Sequence, residues 1–203
     1  MTTYAAPVNV KNSMLLSLGA KPITPGVNTS KEAIILDQIY EPMVKAALTR
    51  HAWTWGVKSQ AVQSSGQANN GNYLYPVPSS FLNVRWVRCG GSDVQVEYLE
   101  DGELALPFGG EIEVHGNWRV PEARWPADFA EAIVKKGYAS LIRSLMNDFT
   151  EAGRAEQEAE MMLRRSIARD KRQIRGRDIN QNPILVQAWR GRRRNGSKTV
   201  LPE

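Results

Sequence analysis

The hydrophobic period changes twice along this chain, and that limits what it can fold into. Apolar residues recur at helical spacing up to about residue 51. They alternate every second residue from about 52 to 120, then return to helical spacing from 121 to about 175. A half-buried strand and an amphipathic helix need different periods, so a β unit is expected inside a helical one. The predicted fold class is α+β. Segments 1–51 and 121–175 form one helical bundle, 52–120 is a small inserted antiparallel β subdomain, and 176–203 is an extended basic tail.

In the first helical segment Asn9 is the predicted N-cap, Val10, Met14, Leu15 and Leu18 follow at helical spacing, and Gly19 stops the helix. Residues 21–28 hold Pro22, Pro25 and Gly26 and read as a loop. Thr29 and Glu32 form a capping box, and Ile35, Ile39, Met43 and Ala47 share one face of the helix that follows. Pro42 is expected to kink or split that helix near residues 38–41.

Beyond His51, Trp53, Trp55 and Val57 alternate with Thr54, Gly56 and Lys58 as a strand would. Residues 64–72 read as a long polar loop with a turn at Asn70-Gly71. Leu82, Val84 and Trp86 mark a second strand. Residues 94–99 and 104–106 flank Asp101-Gly102, a pair that favours a two-residue hairpin turn. Residues 111–120 alternate through Ile112, Val114 and Trp118, with Gly116 as a predicted bulge.

A long helix is predicted over 126–147. Phe129, Ile133, Leu141 and Leu145 form one stripe and Ala130, Val134, Tyr138 and Ile142 its neighbour, with Gly137 admitting a close helix. Asp148 and Glu151 open a last helix to about Ile174, whose inward positions are small: Ala152, Ala155, Ala159, Met162 and Ser166.

The charge is uneven. Residues 1–160 carry 14 basic and 18 acidic side chains, whereas 161–203 carry 12 and 3. A basic end on a mildly acidic body implies an acidic partner, either nucleic acid or a protein surface. In the last helix, glutamates come first and Arg164, Arg165, Arg169 and Arg172 come last, an order the helix dipole favours. That does not account for Trp189, Arg190, Arg192, Arg193 and Arg194, which lie beyond any predicted helix and suggest docking.

Other classes fall away. The single cysteine, Cys89, removes intrachain disulfides and cysteine-rich metal sites and fits a reducing cytosol. No apolar run approaches the roughly 20 residues of a membrane span, and the first residues lack a signal-peptide pattern. His51 and His115 stand in no metal spacing, and no nucleophile-elbow, Walker or zinc-protease motif is present, so neither an enzyme nor a cofactor is expected. Acidic residues in the sheet region, Glu97 and Glu103 among them, read as a solvated face. A carboxylate pair cleaving sugars, as in a peptidoglycan hydrolase, is the alternative there. Most of the six tryptophans read as core, with some as anchors for a neighbouring subunit.

Four motifs occur in order. A short helix ends Leu15-Leu16-Ser17-Leu18-Gly19, and Ile39-Tyr40-Glu41-Pro42 leads into Arg50-His51-Ala52-Trp53-Thr54-Trp55. Tyr73-Leu74-Tyr75-Pro76-Val77-Pro78-Ser79-Ser80-Phe81-Leu82-Asn83-Val84 follows, then Pro126-Ala127-Asp128-Phe129-Ala130-Glu131-Ala132. Over about residues 9–172 this set resembles the tail tubular protein A family of short-tailed bacteriophages, the head-to-tail adaptors. The resemblance implies a virion neck protein assembled in the host cytoplasm. It would form a homo-oligomeric ring, usually of twelve, beneath the portal protein. A nozzle or other tail component would meet the β part, and DNA would pass through the bore. It implies portal docking through the C-terminal segment, here Trp189, Arg190, Arg192, Arg193 and Arg194. Arg164, Arg165, Arg169 and Arg172 are expected on a subunit-interface or portal-facing helix. A nonspecific DNA-binding module using the basic tail is the competing reading.

Overall fold

The computed structural model describes residues 6–24, 30–68, 70–94, 97–98 and 102–181, with side chains at 97, 98 and 174–181 left aside. It is an α+β chain. Among the described residues, helices α1 (Pro7–Ser17) and α2 (Lys31–Thr49) precede eight strands, and α3 (Ala127–Leu145) and α4 (Phe149–Gln181) follow them. The strands are β1 (Val57–Gln63), β2 (Gly66–Gln67), β3 (Tyr73–Pro76), β4 (Phe81–Cys89), β5 (Ser92–Val94), β6 (Glu97–Tyr98), β7 (Glu103–Leu106) and β8 (Glu111–Trp118).

The helix ends follow capping chemistry, with two shifts from expectation. Helix α1 starts at Pro7, so Asn9 lies inside it and Ala6 is the N-cap. Proline suits this first position because its φ is already helical and its missing N–H has no partner to lose. Gly19 ends the helix as predicted, at φ 78°. Gly19 N–H reaches Leu16 O and Ala20 N–H reaches Leu15 O, the paired bonds of a Schellman stop. Ser30, not Thr29, caps α2, accepting from Ala33 N at 3.2 Å; Thr29 lies outside the described residues.

Pro42 does not split α2, which runs unbroken through it. The buried face (Leu36, Tyr40, Met43, Val44, Ala47 and Leu48) supplies enough packing to outweigh the lost backbone bond, a cost of about 3 kcal/mol. Ile35 and Ile39 are only half-buried, so the inward face is rotated from the one read in sequence.

Trp53 and Trp55 do not form a strand. They sit in a turn closed by Gly56 N–H and Val57 N–H on Trp53 O. Both indoles turn to the same ring, Phe129, with centroids 5.0 Å away in each case. A pleated strand would send alternate side chains to opposite faces, but residues two apart on one strand share a face without converging like this. The strand therefore begins only at Val57.

The β subdomain is two antiparallel sheets rather than one, ordered β1-β8-β4-β5 and β2-β3-β7-β6. Val62, Tyr75, Phe81, Val87, Leu104, Leu106, Ile112 and Val114 form their common core. The segment predicted as one strand over 94–99 divides, since β5 pairs with β4 while β6 pairs with β7. The β6–β7 hairpin forms, with Gly102 at φ 75°; residues 99–101, Asp101 among them, lie outside the described residues. The polar loop over 64–72 contains β2, paired with β3. The bulges lie on β4 and not at Gly116 itself: Leu82 is the extra residue opposite the Trp118–Asn117 step and Arg85 the one opposite the Gly116–His115 step. Gly116 is what allows them, because a Cβ there would stand 2.5 Å from Asn83 O.

A second core joins the helices, centred on Phe129, Ile133, Leu141, Leu36, Leu48, Trp53 and Met14. Gly137 admits α1 as predicted: a Cβ on it would fall 2.3 Å from Met14 Sδ. Helix α3 stops at Leu145, and Asn147 takes φ 54°, a conformation asparagine tolerates. Asp148 caps α4, accepting from Thr150 N and Glu151 N at 3.1 and 2.9 Å. Helix α4 continues to Gln181, so 176–181 belong to it and not to the tail. Gly176 costs only about 1 kcal/mol in a helix interior, too little to end one of this length.

Candidate functional site

Small residues set how α4 lies on the body. Ala152, Ala155, Ala159, Leu163, Ser166 and Asp170 are buried at three- and four-residue spacing, one face of a helix. Met162, read from sequence as part of this face, is only half-buried, and Leu163 takes its place.

Asp170 closes the series as a latch. Its carboxylate accepts from Thr54 N at 3.1 Å, Thr54 Oγ1 at 2.5 Å and Nε2 of His51 at 3.0 Å. Burial pushes the His51 pKa down, outweighing the opposing pull of Asp170, so the neutral ring donates its Nε2–H. One turn of contacts away, Asn117 is fully buried. Its Nδ2 donates to Leu48 O at 2.6 Å and His51 O at 2.7 Å, and Arg85 donates to its Oδ1 and to Thr49 O. These bonds satisfy the carbonyls at the end of α2, which the helix itself leaves open.

Arg50 forks onto Glu160, with Nη1 and Nη2 each 2.5 Å from a carboxylate oxygen, and Arg164 adds a third donor at 2.9 Å. The Arg50 bonds hold the Glu160 carboxyl at about 2, well below its usual range. A lowered folded pKa stabilises above the unfolded value and is lost as pH falls through the folded one. The Tm gap between this protein and its Glu160→Gln variant is therefore expected to shrink as pH falls from 4.5 to about 2. His51 follows the same sign in its own window, so a His51→Gln variant should lose less Tm than the parent as pH drops below 6.5. Thermal melts across pH read both; a gap that stays constant would mean these groups do not couple to folding.

Arg164, Arg165, Arg169 and Arg172 are all exposed, and the structure divides them. Arg165, Arg169 and Arg172, four and three residues apart, share one side of α4, while Arg164 turns away to Glu160. Arg169 lies 3.4 Å from Asp128, in the first turn of α3. Helix α4 thus passes the start of α3 at Arg169 and runs 12 residues further, about 18 Å at 1.5 Å per residue. Trp189, Arg190, Arg192, Arg193 and Arg194 lie outside the described residues.

The same end holds a feature that sequence reading missed. Trp55, Val57, Lys58, Trp118 and Arg124 line an open depression of about 500 Å³. Lys58 Nζ is 5.8 Å and the Arg124 guanidinium 6.0 Å from the Trp118 ring. These residues are spread over 70 positions, so only the fold brings them together. Of the other tryptophans, Trp53 and Trp125 are buried and Trp86 is half-buried, stacked on His115 at 5.1 Å. Cys89 is the last residue of β4, half-buried and free. Glu103 is half-buried and accepts from Ser65 Oγ at 3.3 Å; the side chain of Glu97 lies outside the described residues.

No protein-family model matches this chain, and no curated protein matches it. Among the described residues no group of three or more His, Cys, Asp or Glu could hold a metal ion, and no helix is long and apolar enough to cross a membrane.

Proposed function

We propose that this chain is a structural head-to-tail adaptor of a short-tailed phage and not an enzyme. Copies form a ring, usually of twelve in the family it resembles, beneath the portal protein. The ring joins capsid to nozzle or tail in the virion neck and encloses a bore for DNA. The observation that carries the reading is α4, a 33-residue helix latched to the body at Asp170 and continuing past it toward the basic segment that ends the chain. Such a helix carries the exposed Arg165, Arg169 and Arg172 side, and Trp189, Arg190, Arg192, Arg193 and Arg194 follow it in sequence. Arginine forks suit portal carboxylates, and tryptophan is enriched among the residues that anchor interfaces.

Truncation after Pro183 is expected to leave the melting temperature unchanged and to abolish attachment to purified portal particles. Trp189→Ala alone should weaken attachment on the order of thirtyfold, the loss of about 2 kcal/mol at an anchor. Cosedimentation with portal particles measures both, and equal binding by the truncated chain sinks the docking assignment. A DNA filter-binding titration in the same buffers separates the competing reading. Affinity for DNA that falls steeply with salt and vanishes on truncation would favour a nucleic-acid module instead.

A further inference from the structure

We propose that successive copies of this chain join through opposite faces of the β1–β8 sheet, with Glu111 and Glu113 of one copy seated at the Trp55–Trp118 depression of the next. The proposal rests on the ring reading and names the surfaces that would close it.

The depression has an apolar floor of two half-buried indoles and a rim of two exposed cations, Lys58 and Arg124. Among the described residues neither cation has a carboxylate partner. A surface of this kind accepts a carboxylate beside an apolar group, since the two cations attract the carboxylate while the indoles bury its apolar neighbour.

The complement is on the same chain. Residues 89–118 carry seven carboxylates and no lysine or arginine. On β8, Ile112 and Val114 are buried between the two sheets, so Glu111 and Glu113 project from the other, outward side. They are only lightly engaged there. Glu111 accepts from Gln63 at 2.8 Å, and Glu113 lies 3.3 Å from His115 Nε2 without the alignment of a hydrogen bond. Arg88 stands opposite Glu113 on β4 and is attracted to it, but its hydrogen bond goes to Asp93 at 2.7 Å.

The β1–β8 register is unbroken, with Lys58 opposite Gly116 and Gln63 opposite Glu111. Alternation therefore puts Lys58 and Trp118 on the face that carries Ile112 and Val114, and the two glutamates on the reverse face. One copy cannot bring these surfaces together, but two copies can, and a contact between unlike surfaces propagates until it closes as a ring.

Charge reversal tests this with full-length chains on portal particles, counting copies per particle by electron microscopy. Lys58→Glu with Arg124→Glu makes both surfaces acidic, and Glu111→Lys with Glu113→Lys makes both basic. Each double variant alone is expected to lose at least tenfold in ring occupancy. Mixed one to one, the two should alternate and recover rings. Full assembly by either variant alone, or a mixture that stays unassembled, overturns the proposal. So does a variant that still self-associates but no longer attaches, which would assign the depression to the portal. Circular dichroism checks folding. If a reversal unfolds, the neutral Lys58→Gln, Arg124→Gln pair replaces it, and unchanged assembly there also overturns the proposal. Unaltered chains that form no ring on portals would instead remove the adaptor reading itself.

Discussion

Phe129→Ala is expected to lower the free energy of unfolding by about 3–5 kcal/mol, the range for truncating a fully buried aromatic ring. Phe129 is fully buried, and its ring lies 5.0 Å from Trp53, 5.0 Å from Trp55 and 5.2 Å from Trp125. Interplanar angles of 73°, 66° and 86° place ring edges against ring faces, the favoured aromatic arrangement. Three rigid indoles cannot collapse into the space it would leave, which argues for the upper half of the range. The damage is not confined to the bundle. Trp53 and Trp55 define the turn from α2 into β1, and Trp55 is the floor of the depression beside Lys58. Urea titration measures the loss. Phe129→Leu, which keeps most of the volume, should lose clearly less. A Phe129→Ala loss near 1 kcal/mol would mean that the cluster repacks and that the ring is not its centre.

What sequence spacing revealed follows from what periodicity reports. It finds faces, so the α+β division, the stripe on α3, the small-residue face of α4 and the gap at Gly137 were all legible. It does not find which sheet a strand joins. Residues 94–99 read as one strand because alternation alone does not tell which sheet a residue joins, yet β5 pairs with β4 and β6 with β7. Alternation at Trp53 and Trp55 misled for a related reason: a turn that sends two side chains to one ring matches a strand over so few residues. Asp170 was readable in principle, because it continues the spacing of Ala159, Leu163 and Ser166. A carboxylate at an inward helix position signals a buried hydrogen-bond network, and its identity as aspartate hid it among the surface charges. The Trp55, Lys58, Trp118 and Arg124 constellation was not readable at all, since its members meet only through the β1–β8 pairing and the turn before α3.

Asp170→Ala is expected to cost about 3 kcal/mol, because it leaves its partners without an acceptor in a site where Asp170 itself is only 5% exposed. The Thr54 amide and hydroxyl and His51 Nε2 all point at that carboxylate, and each would lose a charge-assisted bond. Asp170→Asn should cost less, since an amide oxygen can still accept from Thr54 while its NH₂ faces the His51 ring. A double-mutant cycle with Thr54→Val isolates the latch: the pair should be non-additive by at least 0.5 kcal/mol, as expected for groups in direct contact. Additive losses would show that Asp170 matters only for packing. The location gives the number its functional weight. Among the α4 side chains described, Asp170 is the last buried one, and Lys171, Arg172 and Gln173 after it are exposed. A helix released at its last anchor would point its basic end in many directions, and ordering it again at each docking event subtracts from affinity. Portal attachment by the folded Asp170→Asn protein should therefore weaken even though no arginine has been touched. Unchanged attachment would separate the latch from docking and leave it as a stability device alone.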